Sequence, residues 1–177
     1  MTTVTDFVKR NVAELEAISN HLDEAALQKA VELCLPVKRI FFSGMGRSGD
    51  MAKALTIRFM HMGYDAYIAG EAATPSIQEG DVLLAITSSA KTKITRSHME
   101  TAIKKGAKVI LITSKTEMDG VSDLITIPAK TVVPSEQHAG SLFEQSVLIV
   151  GDTIVAAIME QTHVSEAFMN ERHANLQ

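Results

Sequence analysis

A chain of 177 residues, 46% hydrophobic and 21% charged, is long enough for one compact domain and too apolar to be a disordered polymer. A net charge of −4 excludes a broad electrostatic footprint for nucleic acid but leaves room for a local site that takes one phosphorylated metabolite. The single cysteine, Cys34, excludes an internal disulfide, Met1 to Arg10 lacks a signal-peptide pattern, and no apolar run approaches the roughly 20 residues that cross a bilayer, so the expectation is a cytoplasmic protein with no membrane partner.

Phe7, Val8, Val12, Leu15, Ile18 and Leu22 recur at helical spacing and predict an opening amphipathic helix. A second helix is expected from Asp23 to Leu35, ended by Pro36, with Cys34 as a buried structural thiol near its end. Lys38 to Ser43 reads as a buried strand. Met51, Leu55, Phe59 and Met62 then mark the face of a helix that opens at Arg47 and stops at Gly63. Strands follow at Tyr64–Ala69, Asp81–Ile86, Val109–Ile112 and Leu124–Ile127, with a helix over Ile94–Lys105. Pro128 to Gly140 is a loop, Leu142 to Gln161 a long apolar helix, and a short helix runs on to Arg172. Nearly all-apolar strands alternating with helices predict an α/β fold, a parallel sheet covered on both faces. No repeat or second-domain boundary interrupts 1–177.

Gly44-Met45-Gly46-Arg47-Ser48-Gly49, between a strand and a helix, is a loop whose bare N–H groups can hold an anion. It matches the G-x-G-x-x-G fingerprint of dinucleotide-binding folds, and Glu71 sits near the distance at which that fingerprint expects an acid. The strand ending at Ile86 leads into Thr87-Ser88-Ser89-Ala90-Lys91-Thr92, four hydroxyls and a lysine just before a helix, which makes a second anion-binding candidate. In a doubly wound sheet both loops face the crevice where strand order reverses. A dinucleotide enzyme usually carries a second, substrate-binding domain, for which 177 residues leave no room, so a small phosphorylated ligand fits better.

These features together resemble the sugar isomerase (SIS) family, and within it the branch that acts on 3-hexulose 6-phosphate. The resemblance runs through Gly44 to Gly49, Ala52-Lys53, Arg58 to Gly63, Gly70-Glu71-Ala72-Ala73-Thr74-Pro75, Gly140-Ser141-Leu142-Phe143-Glu144-Gln145 and Arg172-His173-Ala174-Asn175-Leu176-Gln177. It implies a three-layer αβα sandwich around a five-stranded parallel sheet, with helices 1–36 and 141–173 packed on it. It also implies a homotetramer and isomerisation of D-arabino-hex-3-ulose 6-phosphate to fructose 6-phosphate, as in formaldehyde fixation by the ribulose monophosphate pathway, with no cofactor and no metal. One departure stands out. The family loop reads Ser-Gly-Ser-Gly-Glu-Thr where this chain has Thr87 to Thr92, so the hydroxyls at Thr87, Ser89 and Thr92 are kept, both glycines are replaced and a glutamate has become Lys91. A position there that needs a positive φ is expected to be strained.

Moving a carbonyl from C3 to C2 needs a base and a group that handles the two oxygens. Glu144 is the candidate base, by the resemblance and by its place at a helix start, where the dipole favours the carboxylate. Locally, Ser141-Leu142-Phe143-Glu144 is also a capping-box pattern, with Ser141 as cap. The resemblance makes His173 the proton shuttle, expected to reach the site by docking onto a neighbouring subunit. Arg47 and Ser48 are expected to face the sugar or its phosphate, with Gly44, Gly46, Thr87, Ser88, Ser89 and Thr92 around the phosphate. Glu71 binds sugar hydroxyls or caps the next turn, two readings that stand level. His61 reads as a packing or interface residue, and His21, His98, His138 and His163 share no ligand spacing, so no metal site is expected. The competing functions are a non-catalytic phosphosugar sensor, a dinucleotide oxidoreductase and another aldose–ketose isomerase.

Overall fold

The structure is a computed structural model that describes residues 2–176. Five parallel strands, β1 (Arg39–Ser43), β2 (Asp65–Ile68), β3 (Val82–Ile86), β4 (Lys108–Thr113) and β5 (Asp123–Thr126), lie in the order β2-β1-β3-β4-β5. Six helices accompany them: α1 (Val4–Ser19), α2 (Glu24–Cys34), α3 (Arg47–His61), α4 (Lys93–Lys104), α5 (Ser141–Thr162) and α6 (Glu166–Glu171). Strand order reverses between β1 and β3, which pair from Ile40↔Val82 to Ser43↔Ala85, so the crevice at a switch point falls where the sequence places both loops.

The period of two sorts each strand between two cores. Ile40, Phe42, Leu84, Ile86, Ile110 and Ile112 pack toward Leu55 and Phe59 of α3 and Val147 and Ile154 of α5. Phe41, Leu83, Ala85, Val109 and Leu111 face the other way, onto Met99 and Ala102 of α4. Both faces are dry, which is why the strands read as continuous apolar runs.

One expectation needs correction. Helix α5 has 22 residues and is long and apolar enough to cross a bilayer, contrary to the reading that no such run exists. Half of its most apolar stretch is buried inside the protein, and that burial explains the composition. Helix α1 buries only Glu14 and Ile18, while Val4, Phe7, Val8 and Val12 of its apolar stripe are exposed.

Glu14 ties α1 to the loop that leads into α5. Its carboxylate accepts hydrogen bonds from Ser135 Oγ (2.7 Å), the Glu136 backbone N–H (3.1 Å) and Gln137 Nε2 (2.9 Å). Burial alone would raise its pKa, but these donors and the Arg10 charge outweigh it and hold the carboxyl below the usual range. Glu14→Ala strands three donors and is expected to cost about 2–3 kcal/mol of stability, or roughly 4–12 °C in thermal unfolding for a domain of this size. Because the folded pKa is depressed, the contribution is complete above the ordinary carboxylate range and fades as pH falls through the lower folded value. Glu14→Gln should therefore flatten the acid limb of the stability profile.

Candidate functional site

The turn after β1 is built around two glycines. Gly44 is packed so tightly that a Cβ there would lie 2.6 Å from the Ser48 carbonyl oxygen, and Gly46, the residue before α3, holds φ at +58°. A side chain at either position pushes the first turn of α3 away or strains the backbone. Helix α3 thus starts directly off the strand, with Ser48 half-buried in its first turn.

Three helix starts share one structural feature. Gly46 and Gly140 have no side chain to cap α3 and α5, and Thr92 before α4 makes no cap bond. By contrast, Thr3, Asp23 and Ser165 cap α1, α2 and α6 with their side chains. First-turn N–H groups without a cap carry the positive end of each helix dipole and are free to meet an anion. The α3 and α5 starts touch through an ion pair between Arg47 Nε and Glu144 Oε2. Its carboxylate is sheltered (13% exposed) and its guanidinium open to solvent (62% exposed). The hydrogen bond to Glu144, and its charge, raise the Arg47 pKa further.

Capping is thus not what occupies Glu144. The residue before α5 is Gly140 rather than Ser141, no side-chain cap bond forms, and the Glu144 carboxylate goes to Arg47. The local S-x-x-E pattern points to a contact that the fold does not make.

A cleft of about 490 Å³ opens beside the glycine turn. Gly44, Gly46, Asp50 and Lys53 form one wall, Gly70 and Glu71 after β2 a second, and Ile94 and His98 of α4 a third. Gly44, Gly46 and Glu71 are thereby brought together, and Lys53 and His98 join them.

The hydroxyl loop stands at the start of α4. Thr87 and Thr92 hydrogen-bond one another across it at 3.2 Å, and Ser89 Oγ accepts from the Lys91 N–H at 3.2 Å. Ser88 turns toward β4, its hydroxyl 3.1 Å from that of Ser114, and does not join the anion-facing group expected of it. Only one of the two glycine replacements falls in the left-handed region: Ala90, with φ +55°. An alanine there costs about 1–2 kcal/mol relative to a relaxed backbone, against roughly 0.4–1 kcal/mol that glycine loses to unfolded-chain freedom. Ala90→Gly should therefore raise the melting temperature slightly, as differential scanning calorimetry would show.

His173 does not reach this region within one chain. Its ring stacks on His61 at a centroid separation of 4.9 Å, and Arg172 Nε donates to the Met60 carbonyl at 2.9 Å. His61 closes α3 and Arg47 opens it, so the 15-residue helix puts them about 20 Å apart. Burial, followed by the charges of His173, Arg58 and Arg172, lowers the His61 pKa. Among the described residues, no group of three or more His, Cys, Asp and Glu side chains is placed to hold a metal ion.

Known proteins share this fold. The SIS domain profile matches residues 34–130, more than half of the chain. The chain belongs to the SIS family. It is 35% identical to the 3-hexulose-6-phosphate isomerase of Mycobacterium gastri over 147 residues, which span 78% of this chain and 74% of that one. It is 31% identical to the Bacillus subtilis enzyme of that name, over 98% of each chain. A solved Methanococcus jannaschii structure, for which the same activity has been inferred, superposes with a TM-score of 0.81 at 28% identity, over 98% of each chain. The SIS fold accounts for the parallel sheet and its switch-point crevice. Sequence reasoning about this SIS chain missed His98, because its partner Ser43 lies 55 residues away. The one available signal was that Ser43 ends a buried strand immediately before the glycine turn.

Proposed function

We propose that the protein is a ketose-phosphate isomerase that converts D-arabino-hex-3-ulose 6-phosphate to D-fructose 6-phosphate through an enediol, serving formaldehyde fixation in the cytoplasm. The observation that carries this reading is the sheltered Glu144 carboxylate held by Arg47 where the uncapped starts of α3 and α5 meet. The named relatives support phosphosugar isomerisation as the reaction class.

In this reading the uncapped N–H groups and the hydroxyls of Thr87, Ser89 and Thr92 hold the phosphate, and the charge of Arg47 serves the sugar or its phosphate. Glu144 takes the proton from C2 as the C3 carbonyl oxygen gains one, giving the 2,3-enediol. The C2 hydroxyl then loses its proton as C3 receives one, and the carbonyl stands at C2. The net change is one hydrogen moved from C2 to C3 and one from O2 to O3, so no oxidant or reductant enters. With O6 esterified, the substrate cannot close a five-membered ring from C3, and no ring opening precedes the chemistry.

His173 serves as the shuttle between O2 and O3 from a neighbouring copy in a homotetramer. Two features support this assembly: the distance of His173 from Glu144 within one chain, and the exposed α1 stripe of Val4, Phe7, Val8 and Val12. The whole of 1–177 acts as one SIS unit.

A substrate panel tests the reading. Turnover of hex-3-ulose 6-phosphate well above that of arabinose 5-phosphate and heptose phosphates is expected. Preference for either of the others reassigns the substrate, and binding without any turnover makes the protein a sensor.

A further inference from the structure

His98 sits where two cavities meet. It lines the cleft beside the glycine turn and also a neighbouring pocket of about 240 Å³ that holds Phe41, Leu83 and Ile77. Glu71 and Gly70 line both as well. The two cavities therefore share an imidazole in their lining.

The ring is held in a definite orientation. Nδ1 lies 2.9 Å from Ser43 Oγ, at the buried end of β1. Burial lowers the His98 pKa, which favours the uncharged ring near neutral pH. The hydroxyl of Ser43 has no other acceptor among the described residues. If Nδ1 carried the hydrogen, that buried hydroxyl would keep an unpaired donor, at a cost of about 1–3 kcal/mol. The satisfied arrangement has Ser43 donating to Nδ1 and the ring hydrogen on Nε2.

Nε2 has no partner among the described residues, and it faces Gly70. A Cβ built on Gly70 would lie 3.8 Å from Cε1 and 4.0 Å from Nε2, so the missing side chain keeps that edge open. A fixed donor therefore stands on a cleft that Glu71, whose carboxylate is an acceptor, also lines. A hydroxyl both donates and accepts, and such a pair of groups suits one.

We propose that His98, oriented by Ser43, contacts the substrate directly and donates from Nε2 to a sugar oxygen at the Gly70–Glu71 end of the cleft, setting which phosphosugar is accepted. The proposal rests on the phosphosugar reading of the site. Ser43 is a positioning residue that acts through the ring. The phosphate is gripped elsewhere, so loss of His98 is felt by the sugar alone.

Calorimetric titration with fructose 6-phosphate and, separately, inorganic phosphate tests this on the full chain. His98→Ala should weaken fructose 6-phosphate about tenfold and leave inorganic phosphate within twofold, since one lost donor to a ligand hydroxyl is worth about that factor. His98→Gln, which keeps an N–H near the Nε2 position but loses the Ser43 bond, should stay within about threefold of wild type. Ser43→Ala should fall between the two. Wild type that binds fructose 6-phosphate while His98→Ala binds it equally well overturns the His98 assignment alone. Equal weakening of both probes, or no recovery in His98→Gln, reduces His98 to a structural role. Wild type that binds neither probe overturns the phosphosugar reading and this proposal with it. Should His98→Ala fail to fold, ¹⁵N NMR of the wild-type imidazole decides. A protonated Nε2 that shifts on addition of fructose 6-phosphate, and not of inorganic phosphate, supports the contact, and an unmoved signal refutes it.

Discussion

Glu144→Gln is expected to leave a folded protein that binds fructose 6-phosphate within a few-fold of wild type and turns over hex-3-ulose 6-phosphate about 10²–10⁴ times more slowly, the range for loss of a general base. The amide fills the same volume and still accepts a hydrogen bond from Arg47. What disappears is the ability to hold the C2 proton. The folding cost is small, because the partner guanidinium is 62% exposed and solvent screens its charge. Steady-state kinetics beside a calorimetric titration separates the effects. Parallel loss of binding and of melting temperature would make Glu144 a structural partner of Arg47 and nothing more.

Gly44→Ala should injure binding and folding together. The added carbon would fall 2.6 Å from the Ser48 carbonyl oxygen and 2.8 Å from its carbon, both backbone atoms of the first turn of α3. Neither atom can swing aside as a flexible side chain would, so α3 must move off β1. Overpacking of this kind costs about 1–3 kcal/mol, which is roughly 2–12 °C of melting temperature at this size. The displaced turn carries the N–H groups assigned to the phosphate, and affinity for fructose 6-phosphate should drop tenfold or more. Gly46→Ala makes the informative contrast. Nothing lies within 4 Å of its Cβ, and only the φ of +58° opposes it, at about 1–2 kcal/mol. Wild-type affinity in Gly44→Ala would remove the glycine turn from the binding site.

The sheet was legible because strands dry on both faces need apolar residues at every position. Runs such as Val82 to Ile86 and Val109 to Ile112 have few other uses, and helix ends at Asp23 and Gly46 follow from capping chemistry and positive φ. The site was legible only where chemistry is local in sequence. The glycine turn and the hydroxyl loop stood out as contiguous segments, and the resemblance supplied Glu144. Contacts made across the fold were silent. Ser43 and His98 are 55 residues apart, and Arg47 and Glu144 are 97 apart. Local pattern misled where tertiary partners compete with it, as when Ser141 to Glu144 suggested a capping box and the carboxylate went to Arg47. Helix α5 shows the same limit, since the composition of a buried helix and that of a bilayer-spanning one coincide and only its packing distinguishes them. Ala90 is the converse case, in which the loop's departure from the family sequence foretold a left-handed residue that the backbone carries at φ +55°.

The central claim is that the site moves a carbonyl along a phosphosugar, and carbon NMR of the protein with [3-¹³C]hex-3-ulose 6-phosphate reads that movement directly. The labelled carbon starts as a ketone. Its replacement by the secondary-alcohol signal of C3 in fructose 6-phosphate, with wild type and not with Glu144→Gln, is the predicted result. A ketone signal that persists in the presence of wild-type protein shown to bind fructose 6-phosphate would contradict the account.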